Sequence, residues 1–257
     1  MHGPTTPTHQ RQRRLPIVAQ PTEPRRYKGR CVYKYGSREH LEWLKPILLE
    51  NRLYFPTPRQ LNDPAEARPP LTAASMNALI GTLGQLSAEA KPYLTNKGLA
   101  RHARILDFNA RRFGTDLVLD RMAQSLYPLL ETFHIYSLSK RPDNQHLWDR
   151  YAGKHTGYCL EFLTFQPAFE VRYSDIALDI TNPAQFRPFF LFYKASSWSR
   201  EGEIRMITHR SPDASVSFDP RLLTRIILGR EIAPADEETI RAWVGERSLP
   251  LTIVKET

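Results

Sequence analysis

The order of strand-like and helical segments along the chain constrains its fold most strongly. Short runs of β-branched and aromatic residues occur before and after a long block of helical periodicity that covers residues 71–131. These runs do not alternate regularly with helices, as they would in a doubly wound parallel sheet. We therefore predict an α+β fold of short mixed or antiparallel strands, with residues 71–131 as a helical insertion.

Apolar spacing and turn residues place the remaining elements. Strands are predicted at residues 31–35, 53–55, 132–138, 157–163, 169–173, 203–208, 224–228 and 251–254. A helix is predicted after Ser37, with a kink or restart at Pro46 and an end near Asn51. Further helices are predicted at residues 143–151 and 236–244, whereas residues 184–195 fit either a helix or an aromatic loop.

The first 28 residues differ in composition from the rest of the chain. They are rich in Pro, Thr, Gln and Arg and hold few large apolar residues, so they bury too little surface to offset the entropy of ordering. They also carry six basic residues and one acidic residue. The resulting net positive charge is over half of the +9 of the whole chain. We predict a disordered basic tail over residues 1–28, either solvated or in contact with phosphates or an acidic partner, and one domain over residues 29–257.

Several classes of protein are disfavoured by what the sequence lacks. There is no apolar run near the ~18 residues of a membrane span and no signal peptide, so we expect a soluble cytoplasmic protein with no membrane partner. Cys31 and Cys159 lie in apolar strand-like runs and are expected to be buried free thiols. The scattered histidines form no metal-binding pattern, so no metal site is predicted.

The unusual segments of the chain follow one another in a definite order. They are residues 32–35, 53–58, 62–66, 136–139, 147–162, 171–173, Lys194 and 198–205. In order and spacing they resemble the bacterial family named domain of unknown function 2971, over roughly residues 30–230. The resemblance implies that the polar residues of these segments converge, and it implies no particular activity.

Three of these segments are also similar, in their order, to the ADP-ribosyltransferase superfamily. They are Lys34 or Tyr35 on the first strand, Ser137 and Ser139 on a middle strand, and Glu201 and Glu203 at a late strand. The resemblance implies a split, ADP-ribosyltransferase-like sheet core and NAD as the substrate. It further implies that Lys34 or Tyr35 holds the ribose or the phosphates, that the two serines shape the nicotinamide pocket, and that the late carboxylate is catalytic.

The chemistry of NAD cleavage explains why a carboxylate is required. Breaking the nicotinamide bond builds positive charge on the ribose, and a carboxylate held against the ribose stabilises that charge as it develops. Glu203 is the candidate for this role. On a strand Glu201 would point to the same face and could orient an acceptor. Arg205 would lie on that face too, so the alternative is a solvated strand edge with paired charges.

Other polar and aromatic residues are secondary candidates. Trp148 and Tyr151 share a helix face and fit either a wall that stacks on nicotinamide or adenine, or core packing. His155 is a candidate acid, base or ligand contact, or a structural hydrogen-bonding residue. The further candidates are Asp63, held in an Asn-Asp-Pro turn, and Lys194 and Arg205, which could hold phosphates or pair with Glu201.

Together these observations favour an NAD-dependent ADP-ribosyltransferase-like enzyme, which either transfers ADP-ribose to a protein or nucleic-acid acceptor or hydrolyses NAD. The resemblance suggests a bacterial toxin or an antiphage effector as the setting. A metal-dependent nuclease using Glu201, Glu203 and Asp63 is one alternative. A noncatalytic nucleic-acid-binding module, using the basic tail and exposed aromatic residues, is the other.

Overall fold

The computed structural model describes residues 18–19, 23–63, 71, 96–164, 166–175, 177–178, 191–209 and 214–256. Within these ranges the chain has an α+β fold, as the order of its segments predicts. None of the helices found there combines the length and the apolar character needed to cross a membrane.

The strands are short, and most of them lie in one sheet. They are β1 Val18–Ala19, β2 Cys31–Gly36, β3 Arg52–Tyr54, β4 Phe133–Ser139, β5 Tyr158–Leu163, β6 Phe169–Glu170, β7 Arg172–Tyr173, β8 Ala177–Leu178, β9 Tyr193–Lys194, β10 Glu203–His209, β11 Ser215–Ser217, β12 Leu223–Leu228 and β13 Thr252–Lys255. The α-helices are α1 Leu44–Leu49, α2 Asn96–Phe113, α3 Thr115–Leu130, α4 Gln145–Tyr151 and α5 Pro234–Gly245. Short 3-10 helices are Arg38–Trp43, Pro58–Gln60, Ser196–Glu201 and Pro220–Leu222.

The main sheet is mixed and has seven strands in the order β13-β12-β5-β2-β4-β10-β6. β12 and β13 run parallel, and each of the other neighbouring pairs is antiparallel. Three two-stranded pairs accompany it, namely β1 with β8, β3 with β11, and β7 with β9. The three strands that carry the predicted site, β2, β4 and β10, are therefore neighbours at the middle of the sheet.

β2 and β4 are paired at only one position in the middle of the sheet. β2 pairs with β5 along its whole length, but it pairs with β4 only at Tyr33 and Ser139. Beyond that point the two strands are linked by a side chain, because the Lys34 ammonium donates a hydrogen bond to the carbonyl of Ser137 at 3.1 Å. A polar side chain therefore replaces part of a backbone ladder in the centre of the sheet.

Each face of the sheet covers an apolar core. One core contains Val32 and Tyr136 and packs against α1 and α5. The other contains Tyr35 and Trp148 and lies under α4. Since burying a large apolar side chain contributes about 1.5–3 kcal/mol, these two cores fix which face each residue of β2 presents. Lys34 alternates with Tyr35 and so belongs to the face of Val32.

The N-terminal boundary predicted at residue 28 is too late. The backbone N–H of Tyr27 donates to the carbonyl of Ala168 at 2.8 Å, and that of Glu170 donates to the carbonyl of Arg25 at 2.8 Å. The composition misled here because these contacts use backbone groups and need no apolar side chain. Before Glu23 the structure describes only β1, so the rest of the predicted tail lies outside the described residues.

The other local predictions have mixed outcomes. A helical restart near Pro46 and an end at Asn51 are both found, the latter with a left-handed φ of 52°. Helices fill residues 96–130 of the predicted insertion, and residues 72–95 lie outside the described part. Residues 169–173 form two strands instead of one, and residues 193–194 form β9. Cys159 is buried and Cys31 is only half-buried, and both thiols are free.

Candidate functional site

Four charged side chains meet inside the protein at the start of β10. Lys194, Glu201, Glu203 and Arg205, which we call the charge cluster, are between 0% and 8% exposed. The two cations and two carboxylates balance each other. Isolated charges are costly to bury, so their mutual pairing is what allows all four to lie in the interior.

A left-handed turn brings the two carboxylates together. Glu201 is the last residue of a 3-10 helix, Gly202 follows with φ 56° and ψ 42°, and Glu203 begins β10. The sequence interpretation placed both glutamates on one strand, and that part was wrong. They converge because the glycine at residue 202 tolerates the left-handed conformation of the turn between them.

Lys194 holds both carboxylates with one ammonium group. Its Nζ lies 2.6 Å from Oε2 of Glu201 and 3.1 Å from Oε2 of Glu203. Burial alone would lower the pKa of Lys194, but the two glutamates outweigh it and raise that pKa. Burial raises the pKa of Glu203, against the opposing effects of Lys194 and of the Ser137 hydroxyl. The site therefore keeps a lysine charged and makes a glutamate costly to ionise.

Arg205 supports Glu203 from the same strand. Its Nε lies 2.7 Å from Oε1 of Glu203, and a terminal nitrogen lies 3.2 Å from Oε2. The guanidinium also donates to the carbonyl of Leu191. Burial lowers the pKa of Arg205 to about 9, so it stays charged at neutral pH. The expectation that Arg205 holds phosphates is not supported, because the side chain is fully buried and directed at Glu203.

Hydroxyl groups complete the surroundings of the two carboxylates. Tyr151 donates to Oε1 of Glu201 at 2.6 Å, and the Ser137 hydroxyl hydrogen-bonds Glu203. The hydroxyl of Tyr173 accepts the backbone N–H of Glu203 at 2.8 Å. Burial raises the pKa of Tyr151, and it raises that of Tyr173 to about 12. Both phenols are thus protonated at neutral pH.

Lys34 approaches the charge cluster from the other face of the sheet. Its ammonium donates to the carbonyl of Ser137 and lies 4.8 Å from the centre of the Tyr136 ring. Burial lowers the pKa of Lys34, and the nearby charge of Glu203 opposes that effect. Within the described residues it has no carboxylate at ion-pair distance. Lys34 and Glu203 are therefore linked through Ser137, whose carbonyl accepts from the lysine and whose hydroxyl hydrogen-bonds the glutamate.

Two predicted aromatic contacts belong to the core. Trp148 is 0% exposed, its ring packs edge-on against Tyr35 at 5.3 Å and stacks on His155 at 5.7 Å, and its Nε1 donates to the carbonyl of Pro142. The hydroxyl of Tyr35 donates to the carbonyl of Arg141. In this arrangement neither side chain has a free face for a ligand. The helix face that the spacing of Trp148 identified packs in the core instead.

His155 is held by the C-terminal segment, apart from the charge cluster. Its Nδ1 lies 2.7 Å from Oε2 of Glu256, and its Nε2 lies 3.4 Å from Oδ1 of Asp149. The residue has a left-handed φ of 67°, and its carbonyl accepts the N–H of Glu231. These contacts give His155 a structural role in joining the end of α4 to the C-terminal strand.

Two other predicted residues lie at the edge of the site. The Ser139 hydroxyl exchanges hydrogen bonds with the backbone of Arg141, so it shapes a turn. Asp63 is half-buried and directly follows Asn62, which hydrogen-bonds the hydroxyl of Tyr151. Asn62 therefore reaches the surroundings of Glu201 through Tyr151.

Sequence reasoning missed three residues that shape the site. Tyr173 and Trp198 were noted only as parts of motifs, although the Trp198 ring lies 4.6 Å from the Lys194 ammonium. Asn144 donates to the carbonyl of Arg200 at 2.9 Å and caps α4, which ties this helix to the segment that carries Glu201. The signal for Trp198 was its position three residues before Glu201.

Comparisons with known proteins give no family for this chain. No family model matches it, and no curated protein and no solved structure matches it either. The resemblances described above therefore stay predictions. In the described ranges, no group of three or more His, Cys, Asp and Glu side chains is arranged to hold a metal ion.

Proposed function

We propose that the chain breaks the bond between nicotinamide and ribose in NAD, as an ADP-ribosyltransferase-like enzyme that transfers ADP-ribose to an acceptor or to water. The observation that carries this proposal is the bridging of Glu201 and Glu203 by the single ammonium of Lys194. Carboxylates held against the sugar ring stabilise the positive charge that develops when a glycosidic bond is cleaved.

The spacing of the carboxylates supports this chemistry. Since both lie within hydrogen-bond distance of one Nζ atom, the two carboxylates are near enough to each other to act on the same ribose. The Lys194 ammonium lies where a positive charge is stabilised by both groups. In the proposed reaction the ribose lies beside this position, and Lys194 keeps the two carboxylates in place.

The proposed reaction balances without a metal or a redox partner. The bond from the ribose C1′ to the ring nitrogen breaks, and both of its electrons go to that nitrogen, so nicotinamide leaves uncharged. Glu203 stabilises the positive charge that develops on the ribose. An oxygen of water or of an acceptor forms the new bond to C1′, and the proton that this oxygen loses passes to Glu201.

The remaining residues of the site have positioning roles in this scheme. Tyr151 orients the carboxylate of Glu201, and Arg205 fixes that of Glu203. Lys34 lies near enough to Glu203 for their charges to interact, and its positive charge favours an anionic substrate such as a dinucleotide. A lysine binds phosphate as a point charge and needs no particular approach direction.

The geometry favours this function over the two alternatives. A metal-dependent nuclease would need Glu201, Glu203 and Asp63 as metal ligands, but Lys194 and Arg205 already occupy the oxygens of both glutamates. A nucleic-acid-binding module would use exposed charges and rings. A set of four buried charged groups costs folding free energy and offers such a module nothing.

One assay tests the proposal against both alternatives. The full chain is incubated with NAD, with labelled DNA or with labelled RNA, each in magnesium and in EDTA. We expect nicotinamide to be released from NAD in both buffers. Magnesium-dependent cutting of nucleic acid without nicotinamide release would support the nuclease, and retention of intact nucleic acid alone would support the binding module.

A further inference from the structure

Trp198 is contacted by two cations. Its ring centre lies 4.6 Å from the ammonium of Lys194 and 4.4 Å from the guanidinium carbon of Arg150. The tryptophan is half-buried and lies on the 3-10 helix that ends at Glu201. The indole ring thus contacts both a buried cation of the charge cluster and an exposed cation on α4.

The two cations differ in how easily they can be replaced. Lys194 is buried and paired with two glutamates, whereas Arg150 is exposed. The guanidinium of Arg150 is planar and positively charged, and tryptophan is the side chain that binds such groups best through its ring. A planar cation from solution could therefore exchange with Arg150 at little cost to the fold.

We infer that Trp198 is the platform for a planar cationic ring, and that Arg150 occupies this platform until a ligand ring displaces it. The inference rests on the proposed function for the identity of the ligand, which is the nicotinamide ring of NAD. That ring carries a positive charge before cleavage and none afterwards. Trp198 therefore binds the substrate ring in preference to the product ring, which favours the release of nicotinamide.

The platform also explains which tryptophan the site uses. Trp148, which the sequence suggested, is fully buried between other rings. Trp198 lies on the same short helix as Glu201, and its ring contacts the Lys194 ammonium that both carboxylates bind. The platform is therefore adjacent to the charge cluster.

The test compares two small probes that differ in charge, 1-methylnicotinamide and nicotinamide. Calorimetry on the full wild-type chain should give an affinity for the cation at least about fivefold higher than for the neutral ring. Trp198→Leu should bring this ratio to about one, and Trp198→Phe should keep part of it. Trp43→Leu is the control, because Trp43 is 63% exposed and stacks on His40, and it should keep the full ratio.

Arg150→Ala provides a second test that spares the tryptophan. Removing the competing guanidinium should tighten binding of 1-methylnicotinamide by about threefold or more, whereas Arg141→Ala, at another exposed arginine, should not. A wild-type ratio of one, or an unchanged ratio in folded Trp198→Leu, would overturn the inference. Preference for the cation without nicotinamide release from NAD would overturn the proposed function and leave the platform standing.

Discussion

Arg205 and Glu203 lie two residues apart on β10 and form a two-point ion pair inside the protein. The guanidinium approaches both carboxylate oxygens, at 2.7 and 3.2 Å, and the arginine is fully buried. Their separation by two residues places both side chains on one face of the strand. Since both groups are almost completely buried, each depends on its partners for its charge to be tolerated.

Arg205→Met should therefore destabilise the chain by about 3–5 kcal/mol, because it leaves a buried carboxylate with fewer partners. The double variant Arg205→Met/Glu203→Gln should cost clearly less than the two single changes added together. Urea unfolding measures all three free energies. Arg241→Met is the surface control, since this arginine is half-exposed and pairs along α5, and it should change stability by less than about 1 kcal/mol. Additive costs would show that the pair is not coupled.

His155→Asn tests whether the histidine is structural. Asparagine tolerates the left-handed backbone but loses the contact to Glu256, so we expect a loss of about 1–3 kcal/mol in unfolding free energy. Glu256→Ala should give a similar loss. Nicotinamide release per folded molecule should stay the same in both variants. A fall of more than about tenfold in release with unchanged stability would return His155 to the catalytic site.

Deletion of residues 1–28 should lower the melting temperature by about 5 °C or more. It removes the hydrogen bonds of Arg25 and Tyr27, and that of Arg172 to the carbonyl of Glu23 at 2.7 Å, and each is worth about 1 kcal/mol. Deletion of residues 1–17 removes none of these bonds and serves as the matched control. Equal melting temperatures for the two truncated chains in calorimetry would contradict the boundary described here.

The affinity for ADP-ribose should decrease at alkaline pH, and Lys34 should cause this alkaline limb of the pH profile. Because burial lowers the pKa of Lys34, its ammonium loses its proton at a pH below the ordinary lysine value of 10.5, and affinity for the anionic ligand should fall as pH rises through that range. Lys34→Arg should move the limb to higher pH, since the guanidinium stays protonated. Titrations of ADP-ribose at several pH values measure both. An identical profile in Lys34→Arg would remove Lys34 from the binding site.

Much of the fold could be predicted because the apolar runs are bounded by clear turn residues. β5, β10 and β12 each begin and end within two residues of the predicted limits, because each has apolar side chains on the core face. The two-residue strands and the contacts of residues 25–27 could not be predicted, because backbone hydrogen bonds do not depend on the pattern of apolar and polar side chains. The left-handed turn at Gly202 was missed for a related reason, as one glycine fits many conformations.

The candidate site could also be predicted only in part from the sequence. The motif around Glu201 and Glu203 predicted that charged groups converge, and they do so around Lys194. The spacing of Trp148 identified a helix face but gave no information on what covers it. The partner of His155 lies 101 residues further along the chain, and only the folded structure brings them together.

The rate of nicotinamide release from NAD by folded Glu203→Gln tests the central claim most directly. The substitution keeps the shape of the side chain and removes the charge that stabilises the ribose, so we expect release to fall by roughly 10²–10³-fold while affinity for ADP-ribose changes much less. The rate is normalised to the folded fraction from circular dichroism, because loss of the ion pair with Arg205 also lowers stability. Glu50→Gln, at an exposed glutamate, is the control and should release nicotinamide at the wild-type rate. A wild-type rate in folded Glu203→Gln would contradict the proposed role of this carboxylate.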